Sequence, residues 1–277
     1  MSNKKVHQLA LFGNPVSHSL SPLIHKSFAQ QFDLKINYEL IQVNQDNFAE
    51  AVLDFFASGG LGANVTLPHK SLALTVVDKV KKKAKQAHAI NTLYKNRNSV
   101  LCGDNTDGQG FIKDITQRHH LSLNQKSILI LGAGGATQGI LPAILKQNPK
   151  QVFIANRSIE KAQKMCGFEN TFALTLSSLD ECEQKFDLII HASSLGHQGK
   201  TLTFQSHHRH KYTMAYDLSY GATALPFIEF CRSMNVQNTS DGLGMLVEQA
   251  ALSFEHWFNN KPVTDRVYLS IKTICEN

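Results

Sequence analysis

Glycines placed between an apolar strand and a helix let backbone N–H groups close on a pyrophosphate, which then sits at the positive end of the helix dipole. Gly132-Ala133-Gly134-Gly135-Ala136 follows the apolar run Ile128-Leu129-Ile130-Leu131 in this way. The spacing departs from a strict G-x-G-x-x-G, since Thr137 takes the third glycine's place and Gly139 comes two residues later. A helix cap or a packing turn would use the same glycines. The end of the next apolar run adds information: Ala155 leads into Asn156-Arg157-Ser158, with Lys161 one helical turn on. An acidic residue there would hold a ribose 2′-hydroxyl, whereas a guanidinium suits a 2′-phosphate through two charge-assisted hydrogen bonds. The reading is NADP over NAD, the alternative being a merely solvated arginine.

Two further stretches carry groups that can move protons. In Asn64-Val65-Thr66-Leu67-Pro68-His69-Lys70 a strand runs into a Pro-bearing turn, placing Thr66 and Lys70 at a strand's carboxyl end, where α/β proteins bind ligands. In Gly103-Asp104-Asn105-Thr106-Asp107-Gly108 a polar turn joins an apolar run to a helix expected from about Gln109. Taken singly, Lys70 reads as a surface lysine and Asp107 as a helix N-cap.

The elements that must position these residues alternate short apolar runs with longer amphipathic ones, the pattern of parallel sheets covered by helices and hence an α/β class. Strands are expected at 9–12, 37–43, 62–65, 100–102, 128–131, 152–155, 188–190 and 214–218. Helices are expected from about Pro22, Asn47 and Ser71, over 226–234, from Gly244 to Phe258, and from about Thr264 after the break at Pro262. No internal repeat or low-complexity segment interrupts them.

At 277 residues the chain suits two domains of ordinary size, and 42% hydrophobic with 18% charged residues is a globular composition. No apolar run approaches the roughly 18 residues needed to cross a bilayer. The start, Met1-Ser2-Asn3-Lys4-Lys5, leads into no secretory h-region, so a cytoplasmic location is expected. A net charge of +6 and a pI near 9.0 fit a nucleic-acid binder and an enzyme for anionic ligands alike. The densest basic run, with four lysines between positions 81 and 85, lacks interleaved aromatics and reads as a solvated helix face. No Cys, Asp or Glu at ligand spacing joins His207-His208-Arg209-His210, so a polar loop is expected there and no metal site. Cys102, Cys166, Cys182, Cys231 and Cys275 are odd in number and scattered, and read as reduced thiols, mostly core filler. Trp257 and Tyr268 on the closing helices fit a partner surface or core contacts equally.

Taken together, the motifs resemble the shikimate dehydrogenase family over nearly the whole chain. They are Phe12-Gly13-Asn14-Pro15 with His18-Ser19-Leu20-Ser21-Pro22; the stretch from Gly62 to Lys70; Ala89-Ile90-Asn91-Thr92; Gly103 to Gly108; Gly132 to Ala136; Asn156-Arg157; and the run from Asp241 to Ala250. What the resemblance implies is an NADPH-dependent reduction of 3-dehydroshikimate to shikimate. Lys70 and Asp107 would be the catalytic pair. Ser19 and Ser21, assisted by Tyr220, would bind the substrate carboxylate, and Thr66, Asn91, Asp107 and Gln249 the ring hydroxyls. The cofactor would lie on Gly132, Ala133, Gly134, Gly135, Ala136, Asn156, Arg157, Ser158, Lys161, Leu218 and Gly242. Two departures from the family pattern stand beside the cofactor: His191-Ala192-Ser193 where Asn and Thr are commoner, and Leu218 where Met is.

The architecture so implied is an α/β substrate-binding domain of residues 1–106 and 243–277 and a Rossmann-like NADP-binding domain of 107–242, with the active site in the cleft between them. Partners would be the small-molecule substrate alone, with no nucleic acid or membrane, in a monomer or homodimer. The nearer rival is a quinate/shikimate dehydrogenase of broader substrate and cofactor range, which favours an acidic residue around 156–158. The more distant rival, a non-catalytic NADP-binding module, has no need of both Lys70 and Asp107.

Overall fold

A computed structural model describes residues 5–276; residues 1–4 and 277, which include most of the N-terminal stretch singled out above, lie outside the described residues. The chain divides into two compact units, Met1–Phe111 with Leu246–Asn277, and Ile112–Met245.

The first unit holds a six-stranded sheet of β1 (Val6–Gly13), β2 (Lys35–Gln42), β3 (Gly62–Val65), β4 (Lys79–Val80), β5 (Thr92–Lys95) and β6 (Leu101–Asp104), in the order β2-β1-β3-β5-β6-β4. The sheet is mixed rather than parallel: β1 runs parallel to β2 and β3, but β5 is antiparallel to both β3 and β6. The cause is a tight hairpin, in which the Asn96 side chain accepts from Asn98 N (2.9 Å) and Val100 N (3.1 Å) and Ser99 takes a positive φ of 59°. β5 is four residues long with the polar Thr92 and Lys95 at its ends, so no apolar run marks it in the sequence.

Around this sheet lie α1 (Ser21–Gln31), α2 (Phe48–Ala57) and α3 (Lys82–Ala87), followed by α4 (Asp107–Lys113). The helix expected from Ser71 is a single 3₁₀ turn, Leu72–Thr75; the β-branched Thr75, Val76 and Val77 follow, and Asp78 accepts from Leu101 N at 2.9 Å, drawing the chain into β4. The lysine run is exposed as expected but is divided between β4 and α3.

The second unit carries β7 (Ser127–Leu131), α5 (Gly135–Leu145), β8 (Gln151–Asn156), α6 (Ile159–Gln163), β9 (Thr171–Thr175), α7 (Leu176–Asp180), β10 (Phe186–His191), β11 (Arg209–Asp217), α8 (Leu225–Ser233) and β12 (Asn238–Ser240). Its sheet is parallel throughout in the order β12-β11-β10-β7-β8-β9, the doubly wound order of dinucleotide-binding folds. Every residue of β7 is buried, as a strand covered on both faces requires. The histidine stretch departs from the polar-loop expectation: His208 is fully buried, takes Gln205 N on Nδ1 at 3.2 Å and donates from Nε2 to Cys182 O at 2.8 Å. Of the five free cysteines only Cys102 and Cys231 are core filler.

The chain ends in α9 (Leu243–Phe258) and α10 (Asp265–Glu276). Val247, Ala250, Ala251, Phe254 and Trp257 form the buried stripe of α9. Trp257 donates to Leu93 O at 3.0 Å, and its indole lies where a side chain on Gly62 would be, so it is a core contact.

His25 of α1 is fully buried, stacked on Tyr38 (4.8 Å between centroids, 11°) and tilted against Trp257 (4.9 Å, 40°). Burial pushes its pKa down to about 3, and neither ring nitrogen meets a hydrogen-bond partner among the described residues. A histidine held neutral makes stability fall with acid, because below its ordinary pKa of 6.5 the unfolded chain binds a proton that the folded chain does not. This one group should contribute a slope of up to about 1.4 kcal/mol per pH unit below that point. Urea melts of a His25→Phe variant between pH 7 and 4 should show a shallower slope than the unmodified chain, and parallel slopes would assign the acid sensitivity elsewhere.

Candidate active site

In the first unit three strand ends share one edge. Asn64 of β3 pairs with Thr92 of β5, and Thr92 pairs with Asp104 of β6. Lys70 therefore follows β3, Asn91 precedes β5, and Thr106 and Asp107 follow β6 on the same side. The Lys70 backbone is tied in by Ile90 N, which donates to its carbonyl at 2.7 Å. Asp107 opens α4 rather than capping it, and its own N–H is capped by the Asn105 side chain at 3.0 Å.

The side chains meet there. Lys70 Nζ lies 2.7 Å from Asp107 Oδ2, with 21% of the lysine side chain and 8% of the aspartate's exposed, so the pair opens to solvent mainly through the ammonium. Asn91 Nδ2 is within reach of Thr106 Oγ1 (2.8 Å), Asp107 Oδ1 (2.9 Å) and Gln249 Oε1 (3.0 Å), while Asn91 Oδ1 accepts from Thr106 N (2.9 Å) and Thr92 Oγ1 (2.8 Å). With two hydrogens for three acceptors, the Asn91 amide has none left over, and its role in this arrangement is to orient Asp107 and Gln249. Gln249 keeps one N–H on Leu246 O at 2.9 Å.

Behind this layer runs a buried chain that sequence reasoning missed. Thr92 Oγ1 meets Ser253 Oγ at 2.7 Å, Asn64 Nδ2 donates to Ser253 Oγ at 3.0 Å, and Tyr38 OH donates to Asn64 Oδ1 at 2.8 Å. Burial raises the Tyr38 pKa. Ser253 stands one helical turn after Gln249, a spacing that could have found it. Ser19 and Ser21 lie together, Oγ to Oγ at 3.1 Å, at the start of α1, where Ser19 Oγ also accepts from Ser21 N at 3.2 Å. Thr66 donates its N–H to Phe12 O at 2.9 Å, and its methyl lies against Gly13.

In the second unit the glycine turn is built for close approach. Gly132 takes φ +116°, and a side chain at Gly134 or Gly135 would meet nothing within 4 Å, leaving open space before the first turn of α5. Thr137, at the departed third glycine position, is buried and donates to Gly132 O at 2.7 Å, closing the turn from below. Asn156 Oδ1 accepts from Ala133 N at 3.2 Å, and its amide donates to Ser158 O at 2.9 Å, joining the turn to the end of β8. Arg157 and Lys161 are exposed beyond it. Open backbone N–H groups, a helix N-terminus and two exposed cations fit a phosphorylated dinucleotide. Leu218 lies against Gly242, whose N–H donates to Ser219 O at 2.7 Å, and Tyr220 follows them. Lys70, Asp107, Asn91, Thr66, Gln249, Ser19 and Ser21 belong to the first unit; Tyr220 and the dinucleotide residues belong to the second.

Comparison with known proteins gives a consistent result. Family models match for a shikimate dehydrogenase substrate binding domain (residues 11–93), a shikimate / quinate 5-dehydrogenase (114–220) and a shikimate 5′-dehydrogenase C-terminal domain (242–268). A shikimate dehydrogenase (NADP(+)) from Alcanivorax borkumensis is 43% identical over 265 residues, 95% of each chain. The enzyme of the same name from Coxiella burnetii is 41% identical over 260 residues, 93% of this chain and 96% of that one. The crystal structure of shikimate 5-dehydrogenase from Thermus thermophilus in complex with NADP(H) and shikimate superposes with a TM-score of 0.84 at 25% identity, over 96% of this chain and 99% of that one.

Proposed function

The chain belongs to the shikimate dehydrogenase family, and on that premise we propose that it interconverts 3-dehydroshikimate and shikimate with NADP, using Lys70 and Asp107 as its acid–base pair. The observation that carries the assignment of this pair is the 2.7 Å contact between a partly exposed ammonium and a carboxylate held by an amide network.

The residues divide the work. Bound NADPH supplies the hydride that reduces the ketone carbon. As negative charge develops on the ketone oxygen, Lys70 delivers a proton to it, since only one of its three N–H groups is engaged by Asp107; in the reverse direction the same nitrogen takes the proton back. Asp107 fixes the direction of that ammonium and keeps lone pairs for a substrate hydroxyl. Asn91 holds Asp107 and Gln249 in place, and the remaining Gln249 N–H and the Thr66 hydroxyl take further ring hydroxyls. A site lined with such groups rejects an analogue that leaves one of them unpaired. Ser19 and Ser21, whose hydroxyls stand together at the N-terminus of α1, suit a carboxylate; Tyr220 joins them on the strength of the resemblance. For the cofactor, the turn from Gly132 to Ala136 takes the pyrophosphate, Asn156, Arg157, Ser158 and Lys161 the adenosine 2′-phosphate end, and Leu218 and Gly242 the nicotinamide end.

Five free cysteines suit a cytoplasmic enzyme, acting as a monomer or homodimer. The test is an assay of shikimate oxidation with NADP and NAD side by side, repeated with quinate. Turnover of shikimate with NADP, weak with NAD and with quinate, is expected. Comparable turnover of quinate would move the chain to the broader quinate/shikimate class, and no turnover of either would refute the proposal.

A further inference from the structure

His191 and Asp217 are the last register pair of the parallel strands β10 and β11, and both are buried. The strand ends they join carry Ala192-Ser193 on one side and Leu218-Ser219 on the other. His191 Nδ1 lies 2.7 Å from Asp217 Oδ2, and Ser193 Oγ lies 2.8 Å from His191 Nε2. Asp217 Oδ1 also accepts from Ser219 N at 2.7 Å, and the imidazole stacks on Phe227 at 4.8 Å and 15°.

The donors and acceptors in this chain can be assigned. A carboxylate only accepts, so Nδ1 carries the hydrogen. Leu202 N–H, which only donates, approaches Nε2 at 3.5 Å, with the Thr201 hydroxyl at the same distance, and this surrounding of donors assigns Nε2 as the acceptor. Ser193 therefore donates its hydroxyl hydrogen inward, and Leu195 N approaches the same oxygen at 3.4 Å. The order serine–histidine–aspartate is shared with nucleophilic relays, but acyl transfer also needs an oxyanion pocket, whereas the hydrogen-bond chain alone suffices to fix the polarity of one hydroxyl.

The location gives that polarity a use. A Cβ on Gly132 would come 3.0 Å from Ala192 O and 3.2 Å from Ser193 N, so the backbone of residues 192 and 193 lies directly against the glycine turn. We infer that His191 and Asp217 are positioning residues for the cofactor: they clamp the ends of β10 and β11 together and hold the Ser193 hydroxyl as an acceptor for an N–H donor of the bound dinucleotide. The inference rests on the reading of the glycine turn as the NADP site. His191 acts through Ser193 and touches no reacting atom.

The full chain is tested as the unmodified protein, His191→Asn, Ser193→Ala and the double variant. Asparagine places an amide N–H where Nδ1–H stands, keeping a partner for Asp217, but ends short of Ser193. Dissociation constants for NADP are read by titration calorimetry, alongside the shikimate KM and the melting temperature. Each single change should raise the NADP Kd about fivefold, the scale of one neutral hydrogen bond, and the double variant should be no weaker than either, with shikimate KM unmoved. Losses that multiply to about 25-fold would show that His191 does not act through Ser193 and overturn the inference. An unchanged Kd in Ser193→Ala would overturn it as well, and that variant decides the matter should His191→Asn fail to fold. If the unmodified chain binds no NADP, the reading of the glycine turn falls and the inference with it; binding that all variants share refutes the inference alone.

Discussion

A Lys70→Ala variant should lose about 10²–10⁴-fold in kcat, the usual worth of a positioned proton donor, with a modest change in KM. The ammonium is the part of the Lys70–Asp107 pair most open to an incoming ligand, and truncation removes it without touching the backbone bond between Ile90 N and Lys70 O. Asp107→Asn should act on both constants, lowering kcat because the lysine loses its orienting charge and raising KM because a substrate hydroxyl loses an acceptor. Because the two groups form one unit, the double variant should be little worse than the poorer single one. Asp107 lies in the first turn of α4, so circular dichroism and melting curves come first; the N–H of Asp107 keeps its cap from Asn105 in the variant. Given folded protein, near-normal turnover in Lys70→Ala would remove lysine from the proton path, and strictly additive losses would uncouple the pair.

Arg157→Ala should weaken NADP binding by roughly 1.5–3 kcal/mol, the range for a hydrogen bond to a charged group, and change NAD binding far less. The exposed guanidinium follows Asn156, whose amide has one of its two hydrogens on Ser158 O and its oxygen on Ala133 N, so Arg157 has the larger share of hydrogen bonds to offer a 2′-phosphate. The loss should shrink as salt rises, because an exposed ion contact is screened. Equal loss of NADP and NAD affinity would mean that Arg157 supports the turn in general and reads no phosphate.

The sequence disclosed the second unit more fully than the first, for a physical reason. A strand buried on both faces must be apolar at every position, so β7 announced itself, and the glycines after it marked the turn. Beyond β1 and β2 the first sheet is built of strands of two to four residues, and neither β4 nor β5 is marked by an apolar run. Lys70 and Asp107 are 37 residues apart, and only the β3-β5-β6 register brings them together, so no local spacing could have paired them. The family resemblance implies the pairing without showing how the chain makes it. Tyr38, Thr92 and Ser253 were invisible as a network because each is a polar residue whose partners come from other elements. At His208 a sequence shows a polar ring but not the backbone carbonyl of Cys182 that lets it be buried, so a polar loop is all that it predicts.

The discontinuity of the first unit sets an order of assembly during synthesis. Residues 112–245 form a contiguous unit and can fold as soon as they leave the ribosome. The segment made before them cannot finish: Trp257, which packs on Gly62, and Gln249 and Ser253, which complete the polar cluster, have yet to be translated. At about 5–20 residues per second, the amino-terminal sheet waits on the order of ten seconds or more with its core incomplete. The earliest-made part of the chain is thus the last to become native, and a nascent chain stalled before α9 would carry a finished dinucleotide fold beside an unfinished acid–base site.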